Sequence, residues 1–212
     1  MNKKPFDLSL YLVTDRSLAK GRSLEWIVSE AVRGGVTLVQ LREKDCTARE
    51  FTDLAIRLKQ VLEPLNVKLI INDRLDIALA SEADGLHLGQ NDLPFPLARR
   101  LMGTGKIIGL SVETLGQVRE ANRLDVDYIG ISPAFRTATK TDTPEPFGLE
   151  GISRATLLSR HPAVAIGGID QTNAAEVIRA GADGIAVVSA IVSDHNPYLA
   201  ARQLTKQIKC KS

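Results

Sequence analysis

Residues 36–45 read Val-Thr-Leu-Val-Gln-Leu-Arg-Glu-Lys-Asp, or VTLVQLREKD. Val36, Leu38, Val39 and Leu41 suit the interior of a sheet. The exit of the same run is polar, with Gln40, Arg42, Glu43, Lys44 and Asp45 in close succession. Gln40, Arg42 and Lys44 alternate by two, so in an extended segment they point the same way. An apolar run that ends in aligned donors is a strand delivering polar groups to one edge of a sheet.

The pattern recurs along the chain. Short β-branched or apolar runs are expected as strands at 9–14, 36–41, 67–71, 84–88, 106–110, 126–131, 163–166 and 184–188. Between them lie stretches of helical period. The clearest is TAREFTDLAIRLKQVLEP, where Phe51, Leu54, Ala55, Leu58, Val61 and Leu62 form one apolar stripe and Pro64 stops the helix. Near the end, Asn196 followed by Pro197 reads as a cap and a first-turn proline. SEADGLHLGQ and AGADGIAVVS share an Ala-Asp-Gly that closes a helix and opens a strand. Eight strands in 212 residues leave about 26 residues per unit, near the ~30 of a strand, a helix and their turns. This predicts a single (β/α)8 barrel spanning 1–212, with 1–8 and 208–212 as peripheral tails. The rival is an open doubly wound sheet, but no Gly-x-Gly-x-x-Gly follows any strand.

In such a barrel all strands end at one face, where the loops build the site. Strand by strand, those ends carry Thr14-Asp15; Gln40, Arg42 and Lys44; Asn72-Asp73; Gly89 to Asp92; Ser111; SPAFRTATKTD; Gly167-Gly168; and Ser189. Arg42 and Lys44, with Lys140 from another loop, make either a cationic wall suited to phosphate oxygens or, taken alone, a solvated strand end pairing with Glu43 and Asp45. Asp73 and Asp92 follow neighbouring strands, which lie ~4.8 Å apart. Two carboxylates so placed repel unless a cation separates them, and magnesium completes its shell with water and phosphate oxygens. Each Asp could instead cap a helix, Asp92 before Pro94 in particular. Both together, facing a cationic wall, favour a metal–diphosphate site. Gly167-Gly168 and Ser189 fall in the loops after strands seven and eight, where barrels often bind phosphate. Thr137 and Thr139 can add hydroxyl donors there.

His87 alternates with Leu86 and Leu88 inside strand four and reads as a satisfied interior residue; His161 and His195 lie in turns. No nucleophilic triad, zinc cluster or dinucleotide fingerprint is present. Net charge is only +2, from 27 Lys plus Arg against 25 Asp plus Glu, and aromatics are 4%. That leaves no footprint for nucleic acid or an anionic membrane, and points to small-molecule partners. Cys46 and Cys210 read as reduced thiols of a cytoplasmic protein, and no run has the length of a membrane span.

The ordered set YLVTDR, VQLREKD, LIINDR, DGLHLGQND, GLSVET, TATKTD, AIGGI and GADGIAVVSAI, over residues 11–191, resembles the thiamine-phosphate synthase (thiamine-phosphate pyrophosphorylase) family. The resemblance implies a (β/α)8 barrel that joins a pyrimidine diphosphate to a (carboxy)thiazole phosphate and releases pyrophosphate. It further implies that Gln40, Leu41, Arg42, Glu43, Lys44, Asn72, Ser111 and Lys140 hold the pyrimidine diphosphate. Arg42, Lys44, Ser111 and Lys140 would be catalytic, and Asp73 and Asp92 would bind Mg2+. Thr137, Ala138, Thr139, Gly168, Val188 and Ser189 would hold the thiazole phosphate. One departure is Ser132 in GISPAF, where the family carries the second glycine of Gly-x-Gly-Pro. A thiazole tautomerase on the same scaffold would need neither the diphosphate wall nor paired aspartates. A silent ligand-binding regulator would be expected to lose charged groups first. A sugar-phosphate barrel enzyme would need an interior Lys or Glu acid–base pair. An oligomer remains open.

Overall fold

The computed structural model describes residues 5–137 and 145–209. Its strands are β1 (Leu10–Val13), β2 (Leu38–Leu41), β3 (Lys68–Asn72), β4 (Gly85–Leu88), β5 (Ile107–Val112), β6 (Tyr128–Ile131), β7 (Ala163–Ile166) and β8 (Gly184–Val187). They close in chain order, each parallel to the next and β8 paired back to β1. The helices are α1 (Leu24–Arg33), α2 (Ala48–Leu62), α3 (Leu75–Ala80), α4 (Phe95–Met102), α5 (Leu115–Ala121), α6 (Gly148–Leu158), α7 (Ala174–Arg179), α8 (Ser189–Val192) and α9 (Pro197–Lys209). The expected barrel is the observed one, and each expected strand lies within two residues of its observed position at both ends.

Local chemistry accounts for the helix boundaries. Thr47 and Glu50 form a reciprocal capping box at the start of α2. Asn196 Oδ1 accepts from Leu199 N at 3.0 Å, so the Asn-Pro pair opens α9 as its sequence suggests. Two ends run further than expected. Leu8 and Ile208 are both buried, so the chain is anchored into the body where tails were foreseen.

Alternation along the strands divides the apolar residues into two cores. Outward residues such as Leu10, Leu12, Val39, Leu41, Ile71 and Leu86 pack beneath the helices. Inward residues Tyr11, Val13, Leu38, Ile70, Ile107, Tyr128, Val164 and Ala186 fill the barrel. The interior tolerates Tyr128 because a glycine faces it, and a second glycine lets β4 lie close against β5. A Cβ added at Gly109 would lie 2.1 Å from the Tyr128 ring, and one at Gly85 would lie 2.3 Å from Ile107 O.

Gly109→Ala therefore forces overpacking of the barrel, with an expected loss of about 1–3 kcal/mol in urea denaturation. Gly105→Ala, where an added Cβ meets nothing within 4 Å, is expected to stay within about 0.5 kcal/mol of the parent. Equal stabilities for the two variants would contradict this account of the interior.

Candidate active site

A cavity of about 330 Å³ opens at the C-terminal ends of the strands. It is reached by Gln40 on β2 with Arg42 and Lys44 after it, Asn72 at the end of β3 with Asp73 after it, Asp92 after β4, Ser111 on β5, Thr137 after β6, Gly168 after β7, and Val188 and Ser189 after β8. Residues far apart along the chain thus meet at one mouth. Leu41 and Glu43 are not among the lining residues. Period-two alternation turns Leu41 into the outer core. Glu43 Oε2 accepts from Arg16 Nε at 2.7 Å. Ala138, Thr139 and Lys140 lie outside the described residues.

Arg42 is held at the rim from both ends. Its backbone N donates to Thr14 Oγ1 at 3.1 Å, and Nη1 pairs with Asp15 Oδ2 at 3.2 Å. The carboxylate keeps the guanidinium extended along the β1 end, and the remaining N–H groups stay usable for a ligand.

Asp73 has φ +61°, in the left-handed region that costs a non-glycine residue roughly 1–2 kcal/mol. Its N donates to His87 O at 2.9 Å, continuing the β3–β4 pairing beyond the strand. Its carboxyl lies beside Asp92, which raises its pKa, and near Asn72, which lowers it. Partial burial, and after it the adjacent Asp92, push Asp73 up to about 7. Because Asp73 still meets solvent through the mouth, the neighbouring carboxylate is the more durable cause. Asp92 does not cap α4; Oδ2 accepts from Gly89 N at 2.6 Å and closes its own turn. Two neighbouring carboxyls, one of them resisting ionisation, form a donor set that a divalent cation can satisfy. Among the described residues no cluster of three or more His, Cys, Asp or Glu could hold a metal. Two carboxylates are within what magnesium accepts, its other oxygens coming from water and phosphate.

Opposite the acids, Gly167 (φ +106°) and Gly168 (φ +64°) both need positive φ. A Cβ on Gly168 would meet Arg136 O at 2.5 Å. The loop after β6 runs alongside, with Phe135 N donating to Gly167 O at 3.0 Å. In α8 the first helical bond is Ile191 N to Val188 O, so the N–H groups of Ser189 and Ala190 precede the ladder. Lys20 Nζ holds Ser193 O at 2.9 Å, and Arg22 Nη2 holds Val192 O at 2.6 Å. These cations fix the far end of α8, a role with no signal in the linear pattern.

Sequence reasoning also missed the floor. Tyr11 and Tyr128 are buried there beside His87, as interior positions of β1 and β6. Both ring nitrogens of His87 are hydrogen-bonded, Nδ1 to the Tyr128 hydroxyl and Nε2 to Ser111 Oγ, each at 2.9 Å. Burial pulls His87 down to about 4, so the ring is neutral at pH 7. A Ser–His contact invites a nucleophile–base reading. That neutral, weakly basic ring, backed by a tyrosine, is poorly matched to such a task.

A closed parallel barrel whose polar groups gather at the C-terminal mouth defines an enzyme of the (β/α)8 class. A family model described as thiamine monophosphate synthase matches residues 10–191. The chain is 52% identical over 201 residues to a thiamine-phosphate synthase of Albidiferax ferrireducens, covering 95% of this chain and 92% of that one. It is 52% identical over 198 residues to another of Syntrophomonas wolfei, covering 93% and 95%. A solved thiamine phosphate pyrophosphorylase from Pyrococcus furiosus superposes with TM-score 0.87 at 36% identity, covering 95% and 96%. The chain belongs to the thiamine-phosphate synthase family of transferases. No helix among the described residues is long and apolar enough to cross a membrane.

Asp73→Asn is compatible with left-handed φ and removes the acid pair. A carboxyl raised to about 7 in the folded state costs stability progressively as pH rises from its ordinary value through about 7. In magnesium-free thermal melts, the parent is expected to lose Tm relative to Asp73→Asn across that window. Parallel pH profiles would show that the two carboxyls do not interact.

Proposed function

We propose that this chain joins 4-amino-2-methyl-5-(diphosphooxymethyl)pyrimidine to a thiazole phosphate, releasing pyrophosphate. The observation that carries the reading is the division of one cavity. Arg42 and Lys44 with the Asp73–Asp92 pair lie on its β2–β4 side, and Gly168 with Ser189 on its β7–β8 side. A diphosphate and a monophosphate each have a separate anchorage, with Gln40 and Ser111 left between them for the pyrimidine.

Breaking the bond between the pyrimidine methylene and the diphosphate oxygen leaves both bonding electrons on pyrophosphate. The electron-rich ring shares the resulting positive charge, so no protein nucleophile is required. Arg42, Lys44 and Lys140 stabilise the growing negative charge on the leaving group through preorganised donors. Magnesium, when bound by Asp73 and Asp92, supplies further charge neutralisation to the pyrophosphate oxygens. Asn72, beside Asp73, favours its ionised form. The backbone of Gly168, Val188 and Ser189, with Thr137, Ala138 and Thr139 from the neighbouring loop, holds the thiazole phosphate. That grip directs the thiazole nitrogen at the methylene carbon, and orientation supplies much of the rate. Leu41 and Glu43 act through their backbone or through the Arg16 pairing that shapes the loop.

Ser132 lines the same cavity and its N donates to Val112 O at 3.0 Å. It therefore alters the loop surface after β6 without breaking the strand ladder.

The direct test is to mix the purified protein with both substrates and magnesium and to follow thiamine phosphate and pyrophosphate, which should appear in equal amounts. Arg42→Ala and Lys140→Ala are each expected to lower kcat by ~10²-fold or more, the scale for one preorganised donor. Near-parental kinetics in both would refute the cationic wall. Asp73→Asn combined with Asp92→Asn should lose turnover and magnesium dependence together; full turnover of that double variant in chelator would rule out the metal site.

A further inference from the structure

The cavity floor holds a row of side chains that neither the cationic wall nor the acid pair employs. Gln40 Nε2 donates to the Tyr11 hydroxyl at 2.7 Å, and the Tyr11 and Tyr128 hydroxyls are 2.8 Å apart. The row continues at 2.9 Å from Tyr128 to His87 Nδ1, and at 2.9 Å from His87 Nε2 to Ser111 Oγ. It crosses the barrel from β2 through β1, β6 and β4 to β5. The ring positions are tightly held. His87 stacks on Tyr128 at 5.5 Å, and Tyr11 meets Tyr128 edge-on at 5.9 Å. A Cβ on Gly130 would lie 3.3 Å from His87 Cε1, so this glycine leaves space for the imidazole just as Gly109 does for Tyr128.

Hydrogen counting gives this row a direction. An amide nitrogen only donates, a phenol has one hydrogen, and a neutral imidazole has one N–H. With Gln40 donating, Tyr11 accepts and passes its hydrogen to Tyr128. Tyr128 then donates to His87 Nδ1, which leaves the ring hydrogen on Nε2, directed at Ser111. Ser111 accepts from below, and its own hydrogen is free to be donated into the cavity. At the other end, Gln40 commits its nitrogen limb to Tyr11 and leaves its carbonyl limb as an acceptor.

We propose that Tyr11, Tyr128 and His87 are positioning residues that lock the donor–acceptor polarity of Gln40 and Ser111, and thereby select an aminopyrimidine over its oxo counterpart. This deepens the proposed function and rests on the pyrimidine lying between Gln40 and Ser111. An aminopyrimidine offers an N–H donor beside a ring-nitrogen acceptor. Exchanging the amino group for oxygen turns the first into a carbonyl acceptor and puts hydrogen on the adjacent nitrogen, reversing the pattern. A lone serine would accommodate that by rotating. A serine tied to the row keeps one lone pair for a ligand donor, but presenting a donor in place of the Gln40 carbonyl requires that amide to turn over and the whole buried row to reverse with it. Sites whose buried polar groups would be left unpaired reject a mismatched ligand by ~10⁴-fold or more.

Two measurements test the relay. The first is 15N NMR of His87 in the ligand-free protein at neutral pH, where Nε2 should be the protonated nitrogen and Nδ1 the bare one. A ring protonated at Nδ1, or one averaging both tautomers, overturns the proposal whatever reaction the protein performs. The second compares kcat/KM for the amino and the 4-oxo pyrimidine diphosphates. The parent should prefer the amino form by ~10⁴-fold. Tyr128→Phe should reduce that ratio at least ~10-fold, the size of one lost buried hydrogen bond. Tyr11→Phe, which breaks the row elsewhere, should do the same and serves if Tyr128→Phe folds poorly. A merely structural defect would depress both substrates alike and keep the ratio, and an unchanged ratio in both variants refutes the relay. Failure of the parent to form thiamine phosphate would instead sink the proposed reaction, leaving the tautomer measurement to judge the relay.

Discussion

Closure of a parallel sheet on itself is the constraint from which the rest of this molecule follows. Pairing of β8 with β1 leaves no free edge in the ring, and it sends every strand out through the same face. Period-two alternation then assigns each strand residue to the interior or to the helix layer. Gln40 and Leu41 are adjacent in the chain, yet one lines the cavity and the other is buried beneath helices. Without closure, Arg42, Asp73, Ser111 and Ser189 would have no reason to face one another.

The same geometry organises electrostatics by sector. Cations at the β2 end face carboxylates at the β3 and β4 ends, while backbone donors cluster across the mouth after β7 and β8. The acid pair is unfavourable alone, with Asp73 in a left-handed backbone conformation and its carboxyl pushed up beside Asp92. Local costs of this kind gather at functional sites, where the surrounding structure holds them in place. Below the mouth, the apolar filling gives way to the tyrosine–histidine row. That row sets fixed dipoles along the cavity floor, and fixed dipoles need no reorganisation when charge develops beside them.

Much of this was readable in one dimension. Alternating runs with helical stretches between them imply eight repeated units, and the polar residues that end those runs mark the rim. The Asn-Pro start of α9 and the stripe on α2 are local signals, decided by neighbours within a turn. Pairings such as Arg42 with Asp15 and Glu43 with Arg16 were less legible, because they join the loops after two different strands. Asp92 was ambiguous for the same reason. Only its bond to Gly89 N and its proximity to Asp73 separate it from a helix cap.

The sequence by itself determined the periodicities, the order of the polar strand ends and the family motifs, since these depend on residue type and spacing alone. Tertiary structure alone decided that Asp15 holds Arg42 at the rim, and which cations stabilise the far end of α8. It also decided that Tyr11, Tyr128, His87 and Ser111 form one hydrogen-bonded row. The reason is physical: those contacts join residues tens of positions apart, and their existence depends on barrel radius and strand register, which no local pattern encodes.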